Sequence, residues 1–452
     1  MRCLIPAAGR GSRLARVAEP KPLAPLLGVP LIERVIRTAA RAGVREFCVT
    51  LGHRAGPLRR HLGRLAGRLG VAIRCVDNPD WEAGNGTSVL AARACLGEGP
   101  FLILMADHLV DERTVRALVR RAAAPDAPDL LLAVDTDLAN PLVDREDVTR
   151  VRLEGGRITA IGKGLEGAHG YDTGAFLAGP ALYAAVERAW RRGGDATLTG
   201  AVRELAAEGR AAALDLRREV AADAFWIDVD DPAALRRAEE ALVERLRGKT
   251  TDGPVSRWLN RPLSIRLTRQ LARLPVTPNQ LTLATFALGC LAALVLALPG
   301  HLALAVGGLL AQASSVLDGC DGELARLRLE ESDFGGWLDA VLDRYADGFL
   351  LAGLTWHVYA ASGAAAHLLV GLLALTGSFA LSYTADKYDG LMRARFGRGA
   401  PWRLGRDVRV FIVFVGALLD AALAALAVVA ALMNAEVARR IWVARRAAAA
   451  AA

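Results

Sequence analysis

The sequence predicts an α/β doubly wound domain followed by an all-α membrane domain of six spans. Three observations predict it. Short apolar segments alternate with amphipathic ones before about residue 250, long apolar runs dominate after it, and arginines cluster beside those runs. At 452 residues the chain also exceeds what one hydrophobic core organises. The expected division is a cytosolic domain over 1–247, a linker over 248–254, a juxtamembrane amphipathic helix over 255–275 and a transmembrane domain over 276–446.

In the front half, C-L-I-P-A-A-G at 3–9 reads as a strand, L-I-E-R-V-I-R-T-A-A-R-A-G at 31–43 as a helix, and E-F-C-V-T-L-G and F-L-I-L-M-A-D-H as further strands. That order predicts a mostly parallel sheet. Ligands of such sheets bind beyond the carboxyl ends of the strands, where this chain keeps its glycines. The loop A-A-G-R-G-S-R-L after the first strand leaves backbone N–H groups free to meet phosphate. Lys21, held between two prolines in P-K-P-L, is presented rigidly, and Asp107 stands at the end of a buried strand. The six cysteines form no C-x-x-C pair and there is no His cluster at zinc spacing, which argues against a disulfide framework or a structural zinc. The opening M-R-C-L-I-P-A-A-G-R-G is too short an apolar stretch for a signal peptide, so the front half is expected to stay in the cytoplasm.

Behind it, G-K-T-T-D-G-P at 248–254 carries the linker signals. Trp258, Leu259, Leu263, Ile265, Leu267 and Leu271 then alternate with five arginines, the pattern of a basic helix lying on the inner leaflet; a soluble linker helix is the alternative. Apolar runs cover 279–299, 301–317, 335–360, 364–385 and 408–435, against ~20 residues for one span. Asp420 divides the last run. Two helices there return Arg439, Arg440, Arg445 and Arg446 to the cytoplasm, whereas one would strand them outside, hence six spans. Arginines at 393, 395, 398, 403, 406 and 409 precede the last run, so the net charge of +8 is assigned to topology rather than to nucleic acid. A multi-pass protein of the cell membrane is expected, with lipid as its surroundings, its catalytic domains on the cytoplasmic side, and a homodimer through the transmembrane domain.

The most specific stretch is D-G-C-D-G-E-L-A-R at 318–326, eight residues, then G-G-W-L-D-A-V-L-D at 335–343. Asp318 and Asp321 are three apart and Asp339 and Asp343 four apart, so on helices each pair occupies one face and two facing pairs make a metal cage. A charge at bilayer depth costs several kcal/mol, which favours a functional reading over salt-bridged helices. Gly322 and Gly335 leave room for a ligand, and Arg326, one turn past Asp321, can face a phosphate. Asp347 continues the face and reads as a helper or a polar helix residue, with a ligand as the alternative. Cys320 reads as a small residue.

This pattern resembles the CDP-alcohol phosphotransferase family of integral membrane enzymes. The resemblance implies that Asp318, Asp321 and Asp339 hold divalent metal, Mg2+ or alternatively Mn2+, against the CDP pyrophosphate. Asp343 would be the base and a partial ligand. It also places Lys387, with Arg406 and Arg409, at the phosphate of the acceptor; the bland alternative for Lys387 is a positive-inside residue. The front half, over 1–245, resembles the nucleotidyltransferases that join a nucleoside triphosphate to a sugar or polyol phosphate. Their G-x-G-T-R appears here as G-x-G-S-R, which leaves Arg13 in place. By position, Gly9, Gly11, Arg13 and Lys21 would grip the triphosphate, and Asp107 with Asp228, or Asp230 in its stead, would hold Mg2+. Gly86, Thr87 and Ser88 fall where the base is read, and Lys163 and Asp172 where the alcohol phosphate binds; a strand-end cap competes for Asp172. Only four of the 56 basic residues are lysine, and Lys21, Lys163 and Lys387 stand at phosphate positions, where an ammonium is not interchangeable with a guanidinium.

The pairing of the halves, with strings such as N-P-D-W-E-A-G-N-G-T-S and R-D-V-R-V-F, resembles the bifunctional inositol-phosphate cytidylyltransferase and di-inositol-phosphate phosphate synthase family. It implies CTP, inositol 1-phosphate and CDP-inositol as ligands. Another polyol or choline as the alcohol, a lipid synthase using CDP-diacylglycerol, and a non-catalytic scaffold are the competing readings.

Overall fold

The computed structural model describes residues 1–124, 128–248, 252–396 and 404–449. Lys249 of the expected linker, and Arg398 and Arg403 of the basic cluster, lie outside the described residues. The chain divides into two compact units, Met1–Leu242 and Val243–Ala452.

The first unit is built on a nine-stranded sheet. Its strands are β1 (Arg2–Ala7), β2 (Glu46–Leu51), β3 (Ala72–Asp77), β4 (Phe101–Leu104), then, beyond the short β5 (His108–Val110), β6 (Leu130–Asp135), β7 (Arg150–Glu154), β8 (Arg157–Gly162), β9 (Gly170–Ala178) and β10 (Ala211–Asp215). A separate β11 (Trp226–Asp228) pairs with β5. The spatial order is β3-β2-β1-β4-β9-β6-β10-β8-β7. Alternate residues feed two cores on opposite faces. Cys3, Ile5, Leu102 and Leu104 enter one, and Leu4, Phe101 and Ile103 the other. Burial on both faces is why these strands read as continuous apolar runs.

The sheet is less parallel than expected. β3, β2, β1 and β4 run parallel, as do β6 and β10, but β9 lies antiparallel between β4 and β6. The reversal comes earlier in the chain: the Gly155–Gly156 turn folds β8 back antiparallel to β7, and β9, which also pairs antiparallel with β7, keeps the direction of β8 and so opposes β4 and β6. Because β1 and β4 share direction, the glycine loop after β1 and Asp107 after β4 emerge at the same edge.

The second unit is helical: α1 (Arg261–Leu271), α2 (Pro278–Leu296), α3 (His301–Arg328), α4 (Asp333–Ser362), α5 (Ala365–Tyr383), α6 (Ala385–Phe396), α7 (Arg406–Leu418) and α8 (Ala422–Ala449). Thr277 and Gln280 form a reciprocal cap at the start of α2, with Pro278 in the first turn. Leu329 ends α3 in the left-handed region, and Ser332 accepts the Gly335 N–H to start α4, so one tight turn holds the two acid-bearing helices together. Asp420, also left-handed, separates α7 from α8. Leu296, Leu304, Leu354, Val413 and Leu426 belong to the shared core.

Among the described residues, four helical stretches are long and apolar enough to cross a membrane: Pro278–Leu296, His301–Arg328, Ala365–Tyr383 and Ala422–Arg446. The other two expected spans differ for physical reasons. α4 carries Asp339, Asp343, Arg344 and Asp347, and the 13 residues of α7 reach only about 20 Å. The juxtamembrane segment is a regular helix only over Arg261–Leu271. It leaves Trp258 82% exposed and turns Leu259, Leu263, Leu267 and Leu274 outward, while Ile265 packs inward.

Because the first unit has its own two-faced core, residues 1–248 expressed alone should be soluble and unfold in one cooperative transition. Aggregation of that fragment under conditions where the full chain is stable in detergent would contradict this.

Candidate active sites

Among the described residues, each unit brings one group of three acidic or imidazole side chains to within metal-binding reach of one another. In the first, Gly11 has φ 59°, and a Cβ there would lie 2.3 Å from that of Lys21, so only glycine lets the loop close over this lysine. Lys21 is buried; its ammonium donates to Asp107 Oδ2 at 2.5 Å and to Asp230. Arg13 donates to Asp230 at 2.6 Å and to Asp147 at 2.8 Å, and Lys163 also donates to Asp147. The residues expected at the triphosphate and at the alcohol phosphate are thus joined by alternating charge. Gly9 lines the cavity, with open space where a Cβ would be.

Asp107, His108 and Asp228 present possible ligand atoms within 4.8 Å of one another. The β11–β5 pairing sets Asp228 opposite His108. One oxygen of Asp228 is buried and accepts no hydrogen bond, with His108 Nε2 3.4 Å away, so imidazole and carboxylate face the same point, as ligands of one cation would. Burial pushes the Asp228 carboxyl up to about 7; Asp107 and Asp230 add to this, and His108 opposes it. Burial would raise Asp107 too, but the Lys21 ammonium outweighs it and holds Asp107 below the usual carboxylate range. For His108, burial is outweighed by Asp228 and Asp107, which lift the imidazole.

Asp172 combines a local backbone contact with a place at a cavity. Its carboxylate accepts the Gly174 N–H at 2.8 Å, as a cap would, and it lines the same cavity as Lys163. Burial raises its pKa. The G-N-G-T-S residues sit in different surroundings. The Thr87 hydroxyl donates to Gly84 O at 2.7 Å and accepts from Asn78 at 2.9 Å, so it is engaged within its own loop. A Cβ on Gly86 would stand 2.6 Å from Ala196 O, so that glycine is required by packing. Ser88 reaches the cavity, together with Asn85 and Trp81, which the sequence did not single out. His108 and Asp147 were also missed; His108 adjoins Asp107, whereas Asp147 carries no local signal.

In the second unit, Asp318 of α3 and Asp339 and Asp343 of α4 bring carboxylate oxygens within 4.8 Å. Three oxygen donors suit a hard divalent cation. Asp321 turns aside: it accepts from Thr282 Oγ1 at 2.6 Å and from the Gly322 N–H at 2.5 Å. Residues three apart on a helix point about 60° apart, so Asp318 faces α4 while Asp321 faces α2. Arg406 Nη1 lies 2.7 Å from Asp318 and 3.0 Å from Asp343, and its Nε donates to Asp347 at 2.9 Å. Arg409 donates to Asp347 at 2.6 Å and to Ser382 at 3.0 Å. Asp347 is therefore a buried anchor for two arginines, the helper reading. Gly322 and Arg326 line this cavity. Gly335 does not; its N–H serves the Ser332 cap. Lys387 does not either: it is exposed, with its ammonium 5.2 Å from the Tyr383 ring. Arg440 of α8, which the sequence marks only as a positive-inside residue, does line it.

Two families match the chain, the MobA-like NTP transferase domain over residues 3–154 and the CDP-alcohol phosphatidyltransferases over 275–442. A relative from Rubrobacter xylanophilus, named bifunctional IPC transferase and DIPP synthase, is 42% identical over 97% of this chain and 95% of its own length. The chain belongs to the bifunctional IPC transferase and DIPP synthase family. A relative of the same name from Thermococcus kodakarensis is 34% identical over 86% of this chain and 83% of its own. A solved structure, the inositol-1-phosphate CTP transferase from T. maritima, covers 53% of this chain and 93% of itself at 23% identity and a TM-score of 0.46. The family assignment makes this bifunctional IPC transferase and DIPP synthase relative a transferase, and the four apolar helices with the second family match mark a membrane protein. Both matched families typically use divalent metal ions.

The Asp228 carboxyl, raised to about 7, favours the folded state most when protonated. Its contribution is therefore lost as pH rises through about 7. In chelator-treated protein, Asp228→Asn should unfold at a higher temperature than the unsubstituted chain at pH 8, and the gap should shrink at pH 5.5. An equal gap at both pH values would show that Asp228 carries no buried-charge cost.

Proposed function

We propose that this chain makes CDP-inositol from CTP and inositol 1-phosphate, releasing pyrophosphate, and then transfers the inositol phosphate group to a second inositol phosphate, releasing CMP. The observation that carries this reading is the near full-length match to bifunctional relatives, together with one acid-and-base cluster in each unit. The product of the first cluster is a substrate for the second.

In the first step a phosphate oxygen of inositol 1-phosphate attacks the α-phosphorus of CTP, and pyrophosphate leaves. Lys21 and Arg13 hold the triphosphate, Gly9 and Gly11 let the loop approach it, and Lys163 with Asp172 orients the alcohol phosphate. In the second step a hydroxyl of the acceptor attacks the inositol-bearing phosphorus of CDP-inositol, and CMP leaves. Asp343 takes the hydroxyl proton, Gly322 and Arg326 border the donor, and Arg406 and Arg409 hold the acceptor phosphate. Mg2+, or Mn2+ in its place, held by Asp107 and Asp228 in front and by Asp318, Asp339 and Asp343 behind, with Asp321 lining the same cavity, would supply stabilisation of charge on the phosphoryl oxygens.

The protein is placed in the cell membrane with six spans, α4 and α7 supplying the two that their charge and length disguise, and both catalytic units at the cytoplasmic side. The outward Trp258, Leu263 and Leu267 support a juxtamembrane helix resting on lipid, and a homodimer through the helical unit completes the reading. Incubating the purified protein with CTP and inositol 1-phosphate, and following products by phosphorus NMR, tests the chemistry. Pyrophosphate and CDP-inositol should appear first, CMP afterwards.

Asp343→Asn should abolish CMP release while CDP-inositol synthesis continues, since an amide keeps the size and loses the base. Asp318→Asn should also stop the second step, but added Mg2+ should partly restore it. Near-normal CMP release by Asp343→Asn would remove Asp343 from the role of base.

A reporter fused after Ala452 should behave as cytoplasmic. A signal from the opposite face of the membrane would leave an odd number of spans and refute the separation of α7 from α8 as two crossings.

A further inference from the structure

Residues 252–256, at the end of the expected linker, are clamped at both ends by buried groups. Arg261 of α1 grips Asp252 through two hydrogen bonds of 2.8 and 2.6 Å and donates to Glu323 of α3 at 2.5 Å. Glu323 is fully buried and also accepts from Ser264 at 2.6 Å and Thr268 at 2.7 Å. It stands inside the D-G-C-D-G-E-L-A-R stretch, directly after Gly322. At the other end, Asp407 of α7 accepts the Ser256 N–H at 2.8 Å. A Cβ on Gly253 would fall 2.4 Å from an oxygen of the same carboxylate, so glycine alone permits this approach. Asp252, Gly253 and Ser256 line the cavity that Asp318 and Arg406 also line.

We propose that residues 252–256 form a strap that positions the first turn of α7, and with it Arg406, over the acidic cluster of the second site. Asp407 is the residue next to Arg406, so whatever fixes its carboxylate fixes the backbone from which Arg406 reaches Asp318, Asp343 and Asp347. The opposite end is fixed through Arg261 and Glu323 to the helix that bears Asp318, so strap, arginine and acids keep one relative geometry. Asp407 and Gly253 are positioning residues. The proposal rests on the reading of Arg406 as a holder of the acceptor phosphate.

The test uses the full-length protein in detergent, supplied with CDP-inositol and inositol phosphate, with turnover by the unsubstituted chain measured first so that failure of the underlying reading is seen separately. Asp407→Ala should raise KM for the acceptor about tenfold, as small displacements of binding groups do, while KM for CDP-inositol and the first reaction stay unchanged. Asp407→Asn keeps an oxygen that can accept the Ser256 N–H and should restore the acceptor KM to within about twofold of the unsubstituted value. Gly253→Ala should match Asp407→Ala; if it does not yield folded protein, the Asp407 pair decides. An unchanged acceptor KM in Asp407→Ala, an equal rise in both KM values, or a failure of Asp407→Asn to restore it would overturn the strap.

Discussion

The acids of α4 are tolerated inside an apolar helical unit because arginines from α7 lie against them. Asp347 is buried and takes a hydrogen bond from Arg406 and another from Arg409, and Arg406 continues to Asp343 and Asp318. Charges this deep are costly singly and acceptable when paired and hydrogen-bonded. The pairing therefore fixes how α3, α4 and α7 meet. The turn at Leu329, the Ser332 cap and the break at Asp420 deliver the three helices to that meeting point.

The first unit solves the same problem with different parts. Its cluster lies at the carboxyl edge of a sheet, where parallel β1 and β4 release their loops together. Lys21 neutralises Asp107 and Asp230, Arg13 bridges Asp230 and Asp147, and Asp228 faces His108 Nε2 at 3.4 Å. Among the described residues, the Asp107, His108 and Asp228 group draws on the first unit and the Asp318, Asp339 and Asp343 group on the second.

The segment between the motif domains is not inert. Asp252 and Gly253 belong by position to the linker, yet their contacts are to Arg261 and Asp407 in the second unit. A glycine in a polar run reads as a flexible joint. Here the same residue is required by the approach of a carboxylate, and only packing reveals the difference.

Much of the architecture was legible because it rests on local chemistry. Alternation of strand and helix, the spacing of Asp318, Asp339 and Asp343, and the lysine between two prolines are properties of short windows, and the structure brings those residues into two clusters. The antiparallel β9 was not legible, since it depends on the reversal between β7 and β8 and on which distant strands β9 then joins. Nor was the turning of Asp321 toward Thr282, the inward engagement of Thr87, the exposure of Lys387, or the presence of Asp147 and Arg440 at the cavities. The sequence by itself determined which residue types could carry charge and where helices start and stop, because those follow from neighbours three or four residues away. Only the tertiary structure decided which charges face each other, because a side chain's partner is set by elements up to 217 residues distant, as between Arg13 and Asp230.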